Sequence, residues 1–179
     1  MSKILCYSKR DFERVMDLNG WRDESLPDDV AFISICCTDD CIRGYLMARD
    51  PDADDEHWFK EQHDNVLNLN FDDIIQDEMK SNGFTYRCIN EDEAYEVIKF
   101  IWNNLGKDIY VHCRAGKSRS QAITKFVLDY FDKYYTEYRL ENPPVIPNGN
   151  VIAKLKRAYD KVYDEDPEKY SYQKVCSKA

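Results

Sequence analysis

Residues 109–131 constrain this chain more than any other stretch. Ile109-Tyr110-Val111 is a short apolar run that reads as a buried strand, and Ile123, Phe126, Val127, Tyr130 and Phe131 recur at helical spacing. Between them, His112-Cys113-Arg114-Ala115-Gly116-Lys117-Ser118-Arg119-Ser120 must turn a buried strand directly into a helix. A strand that passes straight into an amphipathic helix is half of a parallel crossover. The rest of the chain repeats the alternation. Residues 4–7 read as a first strand, and Ser8 can cap a helix that carries Phe12, Val15, Met16 and Leu18 and ends near Gly20. Residues 30–37 and 66–71 read as further strands. Asn90 and Glu93 form a capping pair for a helix bearing Ala94, Val97, Ile98, Ile101, Trp102 and Leu105, which Gly106 ends. A last helix holds Val151, Ile152, Leu155, Ala158, Tyr159 and Val162. The expectation is an α/β chain, with a central, mostly parallel sheet flanked by helices. Its 179 residues form one domain with a frayed tail over 167–179.

The same unit carries the chemistry. A buried strand delivers Cys113 to the edge of a sheet, and Arg119 stands where the helix begins. Ala115 and Gly116 are small enough to let the intervening backbone curl. A loop of this kind turns several N–H groups toward one spot, and the helix start adds its positive end, which together make a cradle for a dianion. Arg119 can close it with a planar fork matching two phosphate oxygens. Cysteines at helix starts and beside cations have pKa values of roughly 3.5–7.5 rather than ~8.5, so such a site favours a thiolate facing a bound phosphorus.

A cysteine and an arginine separated by five residues are a weak signal alone. Seven Cys and ten Arg in 179 residues produce about 0.4 such pairs by chance. Cys37 and Arg43 have the same spacing, but they enclose Asp39 and Asp40, which repel phosphate, and no glycine lies inside the turn where the first pair has Gly116. Gly116-Lys117-Ser118 also mimics the end of a nucleotide-binding loop, yet Val111 stands where that motif needs glycine. His57 and His63 flank an acidic stretch and nothing ties them to Cys113, which argues against a cysteine protease.

With these residues in view, Val111 to Ser120 resembles the signature loop of protein tyrosine phosphatases, and its Ser118-Arg119-Ser120 ending looks most like the dual-specificity branch. The resemblance implies a phosphatase-like fold, with Cys113 as nucleophile and Arg119 as clamp. Arg114, Ala115, Gly116, Lys117 and Ser118 would complete the substrate-binding loop. It further implies that His112 orients the loop from a buried position and depresses the pKa of Cys113, and that the Ser120 hydroxyl assists departure of the Cys113 sulfur. It requires a general acid on a separate loop after a strand. Leu69, Phe71 and Asp73 fit the register seen in dual-specificity phosphatases, which favours Asp73 with Asp72 as backup. The implied reaction is phosphomonoester hydrolysis through a phosphocysteine, on phosphotyrosine first and on phosphoserine or phosphothreonine in proteins as well. Arg114 and Lys117 are also similar to the basic loop residues of phosphoinositide phosphatases, so a phosphoinositide or other small phosphoester stays open as substrate. An inactive phosphate-binding module is the alternative of another class.

Composition bounds the partners. The net charge of −9 repels nucleic acid and anionic membrane surfaces, so a bound anion must be caught by a local basic site. No apolar run approaches the ~20 residues of a membrane span, and the first residues lack the pattern of a signal peptide, so the expected location is cytoplasmic. The cysteines include no C-x-x-C pair. Cys36, Cys37 and Cys41 read as buried structural thiols, and neither metal nor cofactor is expected. Residues 50–56 read as a solvated acidic loop, residues 74–85 as a candidate lid, and 142–149 as a connector.

Overall fold

A computed structural model describes residues 2–48, 55–132, 134–139 and 146–170 of the chain. Five strands, β1 (Ser2–Ser8), β2 (Val30–Cys36), β3 (Val66–Asn70), β6 (Asp108–Cys113) and β7 (Tyr135–Arg139), form one sheet. Their order is β3-β2-β6-β1-β7, and every neighbouring pair is parallel. Two short strands, β4 (Glu78–Met79) and β5 (Thr85–Tyr86), pair as a separate antiparallel ribbon. The helices are α1 (Lys9–Leu18), α2 (Asp39–Met47), α3 (Glu91–Asn103), α4 (Arg119–Tyr130), α5 (Gly149–Glu165) and α6 (Pro167–Tyr170). No described helix is long and apolar enough to cross a membrane.

Strand alternation divides the interior in two. Ile4, Ala31, Ile33, Ile35, Ile109 and Val111 face the buried stripes of α3, α4 and α5. The opposite face presents Tyr7, Val30 and Phe32 to Phe12 and Met16 of α1 and to Phe59. This pattern follows from the period of two along each strand, so that β2, apolar on both sides, is buried at every position. Local signals set the helix starts. Ser8 Oγ accepts the Asp11 N–H, and Asn90 and Glu93 form a reciprocal capping box, a device worth about 1 kcal/mol.

The strand order explains where a site can form. The chain leaves β1 through α1 toward β2, crossing over β6, whereas it leaves β6 through α4 toward β7, crossing over β1. Two crossovers that pass each other must lie on opposite faces, and α1 and α4 do. The sheet therefore opens at the carboxyl ends of β1 and β6, the position where open parallel sheets bind ligands.

Two elements lie beyond what the sequence pattern marked: residues 39–47 form α2, capped by Thr38, and residues 135–139 join the sheet edge as β7. Other stretches differ from expectation. Asp55, read as part of a solvated run, is buried and its Oδ2 accepts the Cys37 N–H at 2.7 Å; residues 49–54 lie outside the described residues. At the other end, residues 167–170 are a helical turn whose Tyr170 packs on Trp102, with ring centres 5.4 Å apart, while 171–179 lie outside the described residues. In the segment suggested as a lid, β4 pairs with β5, and β5 is held against α2, where Asp40 Oδ2 accepts the Thr85 N–H at 3.0 Å. Of the connector, 142–145 lie outside the described residues, and Asn148 caps α5.

Candidate active site

At the open ends of β1 and β6 lies a cavity of about 610 Å³. Lys9, Arg10 and Glu13 of α1, Tyr45 of α2, Asp73, and Cys113, Arg114, Ala115, Lys117, Ser118 and Arg119 line it. Five of these side chains are cationic and two are acidic, a local excess of positive charge on a chain whose net charge is −9. Arg114 is held in the wall by its stacking on Tyr45, 4.3 Å from the ring centre.

The loop between β6 and α4 is fastened to the start of α1. Ser8 and Cys113 are register partners at the strand ends, and the Lys9 N–H donates to the Arg114 carbonyl at 3.2 Å. Gly116 makes this close approach possible. Its φ is +66°, and a Cβ there would stand 2.5 Å from Ser8 N and 2.6 Å from Tyr7 C. A side chain would be both strained and obstructed by backbone that cannot yield.

Cys113 is 2 % exposed, and its Sγ lies 3.1 Å from Ser120 Oγ. Arg119 is 4 % exposed and reaches back across the strand ends, where Nη1 donates to the Phe71 carbonyl at 2.7 Å and lies 3.5 Å from Cys37 Sγ. Burial opposes its charge, but the Asp55 and Asp73 carboxylates help to outweigh that and hold the guanidinium firmly protonated. The helix start beside it is left open. Ser118 occupies the N-cap of α4 without capping it, and its hydroxyl is turned toward Asp73, donating to Oδ1 at 2.7 Å. A helix start that its own N-cap side chain does not cap, facing a cationic cavity, is suited to an anion.

The two acids after β3 have different surroundings. Asp73 lines the cavity and is steadied by Ser118 and by Asn148 Nδ2, 2.9 Å away. Asp72 is buried away from it. Its carboxylate accepts the Thr38 N–H at 3.0 Å, the Thr38 hydroxyl at 2.7 Å and the Arg87 N–H at 2.8 Å, tying β2, β3 and the β5–α3 link together. His112 faces the other side of the sheet from Cys113. It is fully buried, stacks on Phe12 with ring centres 4.2 Å apart, and neither ring nitrogen has a hydrogen bond among the described residues. Burial pulls its pKa down to about 3, so the ring is neutral.

Other candidates lie elsewhere. His57 is bound between Ser34 and Asn70, and His63 pairs with Asp23. Neither lines the cavity. Two basic residues of α5 are engaged at the start of α3, since Lys154 donates to the Ile89 carbonyl and Arg157 pairs with Glu91. Cys37, Cys41 and Asp72 bring ligand-type atoms within 4.8 Å of one another. Both Asp72 oxygens already accept hydrogen bonds and Arg119 lies against Cys37, a setting of hydrogen-bonded thiols beside a cation. The hydrogen bond that Cys37 donates to Cys41, together with burial, pushes the Cys37 thiol up. Sequence reasoning missed Lys9, Arg10, Glu13 and Tyr45 in the cavity wall and three residues behind it: Cys6, which sits on Ser120; Asn148, which holds Asp73; and Asp55, which anchors Cys37. Asn148 carried a faint signal, a polar residue before Gly149 and an apolar-periodic run, which marks a cap. No protein-family model, curated protein or solved structure matches this chain.

Proposed function

We propose that this chain is a cysteine-dependent phosphatase with a protein tyrosine phosphatase-like fold, acting on phosphotyrosine in proteins and on phosphoserine or phosphothreonine as well. The observation that carries the reading is one cavity, at the sheet's opening, lined by Cys113, Arg119 and Asp73 beside an uncapped helix start. In this reading the phosphoryl group sits against the loop and Arg119. Cys113 attacks phosphorus in line, and the P–O bond breaks as Asp73 gives its proton to the leaving oxygen. Arg119 and the N–H groups at the start of α4 take up the charge that develops on the three equatorial oxygens. Water then attacks the phosphocysteine, losing its proton to the Asp73 carboxylate, and phosphate departs.

A second reading, a small phosphoester with more than one phosphate such as a phosphoinositide, is favoured by the five cations of the cavity wall. An inactive binding module is disfavoured, because the cysteine and the arginine that catalysis needs both reach the cavity. The test is hydrolysis of an aryl phosphate by wild type and Cys113→Ser with a chelator present, followed by parallel panels of phosphopeptides and phosphoinositides. Turnover that Cys113→Ser abolishes supports the phosphatase, and the better panel selects the substrate class. Phosphate or vanadate binding without any turnover on either panel would instead favour the binding module.

A further inference from the structure

The Ser120 hydroxyl lies between two sulfurs. Its Oγ is 3.1 Å from Cys113 Sγ and also 3.1 Å from Cys6 Sγ, and all three residues are buried. Cys6 comes from the neighbouring strand, where it is the register partner of Val111, and its side chain points to the same face as Cys113 and α4. The two thiols are not equivalent. Burial pushes Cys6 up to about 12, so it keeps its hydrogen at neutral pH. The Gly116 carbonyl is the more distant acceptor, at 3.8 Å, and already receives Gln121 Nε2 at 3.0 Å. The Thr124 hydroxyl donates to the Ser120 carbonyl at 2.9 Å.

The nearer acceptor of the Cys6 thiol, Ser120 Oγ, suggests how the hydrogens are arranged. A serine hydroxyl has one hydrogen and two lone pairs. When Cys6 S–H donates into Oγ, the serine's own hydrogen is left for the other sulfur. We propose that Cys6 is a positioning residue, whose thiol donates to Ser120 and thereby aims the Ser120 hydroxyl hydrogen at the Cys113 sulfur. The inference rests on Cys113 being the nucleophile. Its effect is largest in the second step, in which water attacks phosphorus, the P–S bond breaks, and its electron pair stays on the Cys113 sulfur. Water's proton goes to Asp73, and neither Ser120 nor Cys6 gives up a proton. A hydrogen bond to the departing thiolate stabilises the charged form, and a donor already aimed at it needs no reorientation.

The test is rapid mixing with an aryl phosphate, reading the burst of phenolate and the steady rate that follows. Cys6→Ala and Cys6→Val both remove the donor, and the second refills the space, so a packing defect is separated from a lost hydrogen bond. Both are expected to slow the steady rate about tenfold, the worth of one hydrogen bond to a charged group, with a burst approaching one phenolate per enzyme. Cys6→Ser keeps a donor and restores the rate. In a Ser120→Ala background the Cys6 changes add nothing further. Wild-type kinetics in Cys6→Val, or equal losses in Cys6→Val and Cys6→Ser, overturn the role of Cys6 and leave the phosphatase reading standing. Wild type that forms no phosphocysteine overturns both.

Discussion

Two pairs with the same spacing end two neighbouring strands. Cys37 follows β2 and Cys113 ends β6, with an arginine six positions further along in each case, and Ile35 is the register partner of Cys113. Their fates differ because the helices start in different places. After Cys37 a single residue, Thr38, caps α2 at once, and Arg43 falls in its second turn, where its side chain is 64 % exposed and pairs with Asp40. After Cys113 the chain spends five residues in a curl pivoted on Gly116, and Arg119 opens α4. The first helical residue is the one that can reach back over the strand ends, and Arg119 does so to the Phe71 carbonyl. The spacing is therefore a consequence of the loop, and it has meaning only when the helix is delayed. The Cys37 side chain is also enlisted, since its sulfur lies against Arg119.

The contrast is sharpest at the cysteines. Cys113→Ser is expected to lower aryl phosphate turnover by at least ~10⁴-fold, whereas Cys37→Ser costs less than about tenfold. Equal losses would erase the distinction between the two strand ends. The arginines come next. Arg119→Lys replaces a planar fork by a point charge and is expected to lower kcat/KM by about 10²–10³-fold. Arg43→Lys leaves kinetics unchanged and moves stability by less than ~1 kcal/mol in denaturant titrations, as befits an exposed pair.

A second comparison separates adjacent acids. Asp73→Asn is expected to lower kcat about 10²-fold with little change in melting temperature. Asp72→Asn weakens three hydrogen bonds to a buried residue and is expected to destabilise by about 2–3 kcal/mol in urea unfolding. If Asp72→Asn were the stable, inactive variant, the assignment would be reversed. The glycines give a smaller contrast. Gly116→Ala forces a side chain into a left-handed position against backbone and is expected to cost about 2–3 kcal/mol. Gly44→Ala on α2 meets only the movable Tyr86 hydroxyl and gains up to ~1 kcal/mol of helix propensity, for a net change near zero.

The smallest effect concerns acid stability. His112 has its folded pKa depressed to about 3 from an ordinary value near 6.5. Between those values the unfolded chain binds a proton that the folded chain refuses, so this contribution to stability is full above ~6.5 and is lost as pH falls toward 3. His112→Phe keeps the stacking on Phe12 and is expected to flatten the fall in melting temperature between pH 6.5 and 4.5. An unchanged slope would mean that other groups dominate it.

Much of the architecture was legible because it has local causes. Ser8, the Asn90–Glu93 box and Gly106 mark helix ends within a few residues, and apolar periods of two and near four mark the strands and the long helices. The Cys113 loop was legible for the same reason, since strand, turn glycine and helix start are contiguous. What escaped depends on distant partners. Cys6 reads as an ordinary strand residue, and its contact with Ser120 spans 114 positions. Asn148 meets Asp73 across 75 positions, and the buried Asp55 sits in a run of acids that looks solvated throughout. Helix α2 is short and interrupted by Gly44, and β7 is an edge strand of polar and aromatic residues, so neither carries a strong period.

The most direct test of the central claim is mass spectrometry of the intact protein and its peptides after acid quench during turnover of an aryl phosphate. The account predicts one phosphoryl group, carried on Cys113 and absent in Cys113→Ser. Phosphorylation on another residue, or undiminished turnover in Cys113→Ser, would contradict it.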